Sequence, residues 1–452
     1  MKLKTILVIY LTMTTILPGT VIAATISDEE AAALVERLNQ LEQEILTLRS
    51  KLSSVESEQK DQTKRVQTIE VAAETKSPMS IKWKGAPEIK SEGGWSVKPR
   101  GRALYDVSNL SSVPSTVDIP GEGFSNEARR VRLGIQGTMP GGFGYKLEAD
   151  YLSGVSLTDA YVSFKDGSLK LIVGQHNNFQ GLEELSSSND TSFIERSAFT
   201  DAFGFERKLG VSAEYSVGKV LLQGGVFTDN IDDLDDGNNT ISLDGRVTYA
   251  TNIDNAQLHF GSSLHVRDLG DEVESVRYRQ RPMVHTVDTR FINTGNISGA
   301  EDEVSYGLEA AVIAGRFHAA GETHWAKVNR LEAADPTFFG GSIEAGYFLT
   351  NDKREYKGGV FKGVNVNNPV GNGGIGAWQV NVRFDHLDLV DAGIVGGRQD
   401  AYMASLVWTP IDYVRLLLNY GHLSYSDALD IVDGAPNDFS VNVVGLRTQV
   451  SF

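Results

Sequence analysis

Between Glu127 and Gln175 the chain alternates apolar and polar residues through four segments separated by tight-turn signals, and no other stretch limits the possible fold as much. Phe143, Tyr145, Leu147, Ala149 and Tyr151 fall on one side of a segment, with Lys146, Glu148 and Asp150 on the other. A sustained period of two is a strand with one apolar and one wet face. Before it, Val131, Leu133 and Ile135 oppose Arg130, Arg132 and Gln136; after it, Leu169, Leu171 and Val173 oppose Lys170 and Gly174. Arginine therefore lies on the wet side, and the open question is whether the apolar side meets a protein core or lipid.

Loop lengths favour lipid. Sixteen strand-like segments can be traced, the first near Trp95, the last near Phe439. After odd-numbered segments the gaps are mostly long, as from Leu110 to Asn126, Asn177 to Glu206, Asp268 to Glu301 and Leu389 to Arg398. After even-numbered ones they shrink to turns such as Pro140-Gly141 and Asp166-Gly167. A soluble sandwich has no reason to sort loops by end, whereas an outer-membrane barrel does. Two gaps break the pattern: Ser153 to Val155 is short for an outer loop, and Asn351 to Ile375 is long for a periplasmic turn, leaving the strand count open there. In the last segment Val444, Leu446 and Val450 share one face, Arg447, Gln449 and Ser451 the other, and the chain ends on Phe452, a residue suited to an aromatic girdle. Closure of the sheet leaves no backbone edge unpaired in hydrocarbon. The expected fold is an all-β transmembrane barrel of about 16 antiparallel strands over residues 95–452, preceded by a helical coiled coil.

The N-terminal region divides into three. Residues 1–23 carry Lys2 and Lys4, an apolar run from Ile6 to Leu17 and a Val21-Ile22-Ala23 cleavage pattern, which is a secretory signal peptide. Over 27–74 the period changes: Leu34, Leu38, Leu41, Ile45, Leu48, Leu52 and Val55 are spaced alternately by 4 and 3, and after Gln59 and Gln62 the seam resumes at Val66 and Ile69. So narrow an apolar stripe is a coiled-coil seam, buried against other copies, although a lone amphipathic helix lying on a surface has a similar pattern. Residues 75–94, with Pro78, Pro87, Gly93 and Gly94, read as a linker.

With 42 basic and 59 acidic residues the formal charge is -17, which becomes -19 on loss of Lys2 and Lys4 and excludes nucleic acid as a natural partner. Much of the acid lies in outer loops, at Asp232, Asp233, Asp235 and Asp236 and at Asp268, Asp271, Glu272 and Glu274, where divalent ions could bridge it to lipopolysaccharide. There is no cysteine, as suits an envelope protein built without disulfides. Catalytic and metal sites find no support. Gly371 to Gly376 matches a dinucleotide fingerprint in letters but opens a strand, the Asp232 to Gly237 run lacks calcium-loop ligands at Leu234 and Leu243, and neither a zinc helix motif nor a nucleophile elbow occurs. No cofactor and no enzymatic activity are expected.

Three clusters of cations share the wet side. Lys98, Arg100 and Arg102 oppose Val97, Ala103 and Tyr105; Arg130 and Arg132 follow in the next strand; Arg277, Arg279 and Arg281 alternate with Val276, Tyr278 and Gln280 in the fifth outer loop, and Arg447 lies on the inner side of the last strand. Guanidinium is always charged and presents paired donors to oxyanions, and rings of it make an anion pore. The competing reading is that these arginines pair with Glu148, Asp150 and other lumenal acids to hold a packed interior.

Arg129-Arg130-Val131-Arg132-Leu133-Gly134, Gly174-Gln175, Gly181-Leu182-Glu183-Glu184, Glu195-Arg196 and Tyr278-Arg279-Gln280-Arg281-Pro282 together resemble the phosphate-selective porin O and P family, as do Tyr347-Phe348-Leu349-Thr350, Gly376-Ala377-Trp378 and Val414 to Tyr420. The resemblance covers about Trp95 to Phe452. It implies a homotrimer of sixteen-stranded barrels in outer-membrane lipid, an inward-folded third loop and an arginine ladder that draws small anionic solutes through. It also implies loop-three lysines in members that bind phosphate tightly, and none occurs between Asn177 and Glu206, so a broader anion preference is expected. The alternative is a structural or receptor-like protein whose barrel is closed by its loops and tethered through its periplasmic coiled coil.

Overall fold

In the computed structural model of the protein, the described residues are 28–74, 79–113, 119–234, 237, 239–271, 273–429 and 436–452. The expected signal peptide lies outside them, as do Asp235, Asp236 and Glu272 of the acidic loops. Two units separate, 1–77 and 78–452. The first is helix α1, Asp28–Glu74, which starts with Asp28, Glu29 and Glu30 against the positive end of its dipole. Along its seam Leu34, Leu38, Ile45, Leu48 and Leu52 are each half or more exposed.

The second unit contains sixteen barrel strands: β1 (Ser96–Val113), β2 (Gly123–Met139), β3 (Phe143–Asp150), β4 (Ser156–Asp166), β5 (Leu169–Asn177), β6 (Arg207–Val217), β7 (Val220–Phe227), β8 (Ile241–Ile253), β9 (Ala256–Asp268), β10 (Ala300–Ala314), β11 (Phe317–Arg330), β12 (Thr337–Phe348), β13 (Ala377–Asp391), β14 (Ile394–Ile411), β15 (Val414–Ser426) and β16 (Phe439–Ser451). Each pairs antiparallel with its sequence neighbours, and β16 closes on β1 from Ser440↔Val113 to Ser451↔Arg102. The seam ends with the Phe452 ring lying over Gly101, where a Cβ would collide with it, and with Phe452 N donating to Gly101 O at 2.9 Å.

Side chains obey the two-residue period nearly throughout. Leu147, Val173, Val247, Phe260, Leu308, Val382, Leu418 and Leu446 point outward and are exposed, as lipid-facing positions must be in a single chain. Aromatic pairs flank this band: Trp378 and Trp408 stack at 5.4 Å near one end, Tyr306 and Trp325 at 5.0 Å near the other. In β2 the alternation slips. The register jumps between Leu104↔Arg130 and Tyr105↔Ala128, so Arg129 is an extra, bulged residue. Ala128 and Val131 stay on the lipid side, and both Arg129 and Arg130 turn inward, where Arg129 meets Glu195.

Three expectations need adjustment. The gap from Leu389 to Arg398 is no long loop, because β13 and β14 run on to Asp391 and Ile394 and turn at Ala392-Gly393. Between β12 and β13 the long segment 349–376 is real, the strand count is unaffected, and the hairpin of Arg354–Lys357 with Val360–Val364 folds into the lumen. Within the expected linker, Met79–Lys84 and Ala86–Ser91 form a hairpin that pairs with the start of β1.

Loops fill much of the barrel. The third outer loop, 178–206, carries two short helices, α2 (Leu182–Leu185) and α3 (Ala198–Ala202), and crosses the interior. Carboxylates on the wall hold its backbone: Glu322 of β11 accepts from the Leu182 and Glu183 amides at 2.8 and 2.7 Å, and Asp385 of β13 accepts from Ala198 N at 3.0 Å. The fifth loop, 269–299, packs Met283, Val284, Phe291 and Ile292 with Phe193 and Phe199 against inward Leu387, Ala401, Met403, Leu423, Val441 and Val443. Phe361 and Val360 of the lumenal hairpin join Leu182, Ala311 and Ile313 lower down.

Candidate functional site

What the loops leave open runs along the wall made by β1 to β6. An inner chamber of about 760 Å³ is lined by Arg100, Arg102, Arg130, Arg132, Lys146, Lys170, Arg196, Arg207, Lys357 and Lys362, against only Asp159, Glu184 and Glu214. An outer chamber of about 320 Å³ is lined by Arg129, Glu195, Asp201, Glu206, Arg281 and His285 among others. Arg130, Glu184 and Arg196 border both, which makes them the waist between the two.

At the waist most charges are spoken for. Arg196 meets Glu184 at 3.1 Å and donates to the backbone carbonyls of Glu183 and Ser186. Glu195 takes Arg129 at 3.1 Å and Arg447 at 2.8 Å, and Arg447 also grips Asp106 at 2.6 Å. Burial alone would raise the Glu195 carboxyl, yet the guanidinium groups of Arg129 and Arg447 hold it below the ordinary carboxylate range. For Glu184 burial wins over Arg196, Arg207 and Arg130, and its carboxyl is raised. Arg130 is the exception. Its Nε is buried without a hydrogen-bond partner, and among the described residues it makes no ion pair.

The inner chamber below it keeps an excess of positive charge although its cations are partly neutralised. Glu148, nearly sealed from water, sits 3.4 Å from Arg102, 3.9 Å from Arg132 and 4.0 Å from Arg100. Arg132 also meets Asp150 at 2.9 Å, and Asp159 is shared by Lys146 at 2.8 Å and Arg207 at 3.2 Å. Carboxylates at the wall thus fix guanidinium positions in the way that a second layer of ligands fixes a first.

Of the nine sequence candidates, four lie together in the inner chamber: Arg100, Arg102, Arg130 and Arg132. Lys98 is nearer the periplasmic rim, donating to Lys84 O at 3.0 Å. Arg281 lines the outer chamber and is tied to Val287 O and Asp288, and Arg277 borders a separate cavity of about 260 Å³, with Nε donating to Asn293 at 2.8 Å. Arg279 is exposed on the same side of the segment. Arg447 is buried in its ion pairs, joining β16 to β1 and the third loop. Residues that the sequence did not single out include Lys146, Lys170 and Arg207, which also line the inner chamber, and Arg129. Arg129 had a signal: strict alternation would have placed it in lipid, a costly position for a cation.

Known proteins bear on this architecture. Residues 97–452 match the model of the family described as phosphate-selective porin O and P. An uncharacterised protein of Caulobacter vibrioides is 46% identical over 387 residues, 83% of this chain and 78% of the relative. Porin O of Pseudomonas aeruginosa is 26% identical over 70% of this chain and 78% of its own length. Among solved structures, the anion-selective porin from Comamonas acidovorans superposes with a TM-score of 0.50 at 14% identity, over 79% of this chain and 100% of that one, a likeness of fold. The family is one of non-enzymatic channels, and OmpT of Vibrio cholerae, itself solved in a trimer form, superposes with a TM-score of 0.50 at 11% identity over 79% of this chain and 100% of that one, again a likeness of fold. With a closed sixteen-stranded barrel, a loop-lined lumen and a family match over nearly all of its barrel, the chain is an outer-membrane porin belonging to the phosphate-selective porin O and P family.

Proposed function

We propose that this porin passes small anions in preference to cations along the β1 to β6 wall, and that Arg130 is where preference is decided. The observation that carries this reading is an unpaired guanidinium at the waist, above a chamber lined by ten cations and three carboxylates. Low-dielectric walls focus that field, so local charge outweighs the chain's overall deficit. Arg100, Arg102 and Arg132 hand an anion onward from Arg130, and Arg281 receives it from outside. Lys98, Arg277 and Arg279 enrich anions at the approaches, while Arg447 acts on the pathway by fixing Glu195. Phosphate and polyphosphate fit as guests, but with no lysine in the third loop a general anion preference is the stronger reading. The chain is exported by its signal peptide, trimerises, and uses its α1 seam as a periplasmic coiled coil.

Reversal potentials across a planar bilayer under a salt gradient test this. Stepwise openings with an anion-directed potential, reduced when Arg130 and Arg132 are both replaced by alanine, are expected, and unchanged selectivity in that variant would remove the role given to the pair. One observation favours a second reading, a closed structural barrel: the apolar filling between the third and fifth loops. A trimer silent in the bilayer would point to it.

A further inference from the structure

The outer lumen is divided by the end of the third loop. Gly204 and Glu206 border the outer chamber on one side and, on the other, the cavity that Arg277 lines. That cavity shares no lining residue with the inner chamber, so it is a side room of the mouth and not a stage of the route. Its volume of about 260 Å³ falls below the roughly 300 Å³ at which pockets hold drug-sized ligands, and suits a small metabolite.

Unlike the inner chamber, this room has its wall charges closed on each other. Arg267 of β9 lies 2.9 Å from Asp229 and 2.8 Å from Glu303 of β10, Lys208 of β6 lies 3.2 Å from Asp229, and Tyr278 of the fifth loop donates to Glu303. These charge-assisted bonds stiffen the wall and cancel most of its field. Two groups of opposite sign stay open. Glu206 is about half exposed and 3.6 Å from Lys208, beyond hydrogen-bonding reach, so its carboxylate keeps accepting capacity. Arg277 is exposed, makes no ion pair among the described residues, and commits its Nε to Asn293 at 2.8 Å. Its terminal nitrogens remain as paired donors for a carboxylate.

We propose that this side room binds a small zwitterion, of the size and charge of an amino acid or dipeptide, with its ammonium on Glu206 and its carboxylate on Arg277. A plain anion drawn to Arg277 shares the room with Glu206 and Glu303, and a plain cation drawn to Glu206 shares it with Lys208 and Arg267, so each meets like charge. A solute carrying both signs meets an opposite charge at either end. An uncharged polyol gains less, because Tyr278, Glu303 and Arg267 are already paired. The Phe203 and Tyr278 rings, perpendicular with centroids 5.8 Å apart, offer the carbon skeleton an apolar side. Binding here lies beside the anion route and does not depend on its selectivity.

The chain has no cysteine, so a single introduced thiol reports occupancy. Ser275→Cys and Val273→Cys each place one in this cavity, and Ser187→Cys places one in the inner chamber. Alkylation of each full-length porin by iodoacetamide is timed in detergent with glycylglycine present, and with glycinamide and N-acetylglycine as its cationic and anionic halves. Glycylglycine at twice its dissociation constant should slow alkylation about threefold in either cavity variant and leave Ser187→Cys unchanged. Each half keeps one charge-assisted contact and loses the other, and should bind about tenfold more weakly. With Glu206→Gln added, glycylglycine should protect no better than N-acetylglycine; with Arg277→Gln added, no better than glycinamide. Absence of protection in both cavity variants overturns the proposal, as does either half protecting as well as glycylglycine, which marks a site for a single charge. Equal slowing in Ser187→Cys overturns it too. Reversal potentials do not enter this readout, so a lost anion preference leaves the result standing.

Discussion

The two halves of the lumen wall are built on opposite principles. Along β1 to β6 the inward positions carry Arg100, Arg102, Arg132, Lys146 and Arg207, positioned by wall carboxylates and left facing water. Across the barrel, in the outer half of β13 to β16, they carry Leu387, Ala401, Met403, Leu423, Val441 and Val443, and the third and fifth loops pack onto them as onto any soluble core. A pleated strand with both faces apolar cannot border water on either side, so loops had to enter. The difference teaches that pore shape here is set by where the wall stops being polar: the apolar half takes the loops into a dry core, and the charged half meets the third loop through polar contacts such as Arg129 with Glu195 and Arg102 with Ser188 and leaves the chamber open beside them.

Breaking the apolar half should have the largest effect. Phe291 is fully buried with its ring 5.0 Å from Tyr425 and 5.3 Å from Phe439, and Phe291→Ala should cost about 3–5 kcal/mol of packing, freeing the fifth loop. Single-channel recording should then find larger, noisier conductance with selectivity retained. Next comes Arg130→Ala on the charged half. One unit charge at 4 Å in water is worth ~1 kcal/mol, so the anion-to-cation permeability ratio from reversal potentials should fall about fivefold.

Smaller is the effect at the junction of the halves. Since the Glu195 carboxyl is held below its unfolded value, the stability it contributes is complete above the ordinary carboxylate pKa of about 4.3 and is lost as pH falls through its folded value. Glu195→Gln should therefore lower the thermal midpoint of the detergent-solubilised barrel at neutral pH, and the gap to the parent should narrow in acid. Least affected should be Arg279→Ala, whose side chain is exposed away from both chambers: as one of several approach charges it should lower the permeability ratio by clearly less than Arg130→Ala does in the same recordings.

The same contrast explains what could be read in advance. All sixteen strands were legible because lipid enforces apolar residues at every second position, visible in Tyr145-Leu147-Ala149 or Val444-Leu446, and loop lengths marked which end was which. The inner face obeys no such uniform solvent. Arg100, Arg102, Arg130 and Arg132 were legible as lumenal because cations avoid lipid, but which of them lacks a partner depends on Glu148, Asp150 and Glu195, which come from other strands and a distant loop. Arg129 showed only through its cost, since a bulge resets the pleat without a turn signal and strict alternation would have left that cation in lipid. The lumenal hairpin was hidden because Arg354 and Phe361 find partners, Ser192 and Leu182, far away in sequence.

Arg447 draws a last consequence. Its guanidinium joins the final strand to Asp106 on the first and to Glu195 in the third loop, at contacts 341 and 252 residues away in sequence. Those bonds can be completed only when the cylinder has been zipped and its cargo is already aboard. Final zipping is thereby coupled to correct loading, and a barrel that closed empty would leave this guanidinium with Asp106 alone, short of its second carboxylate.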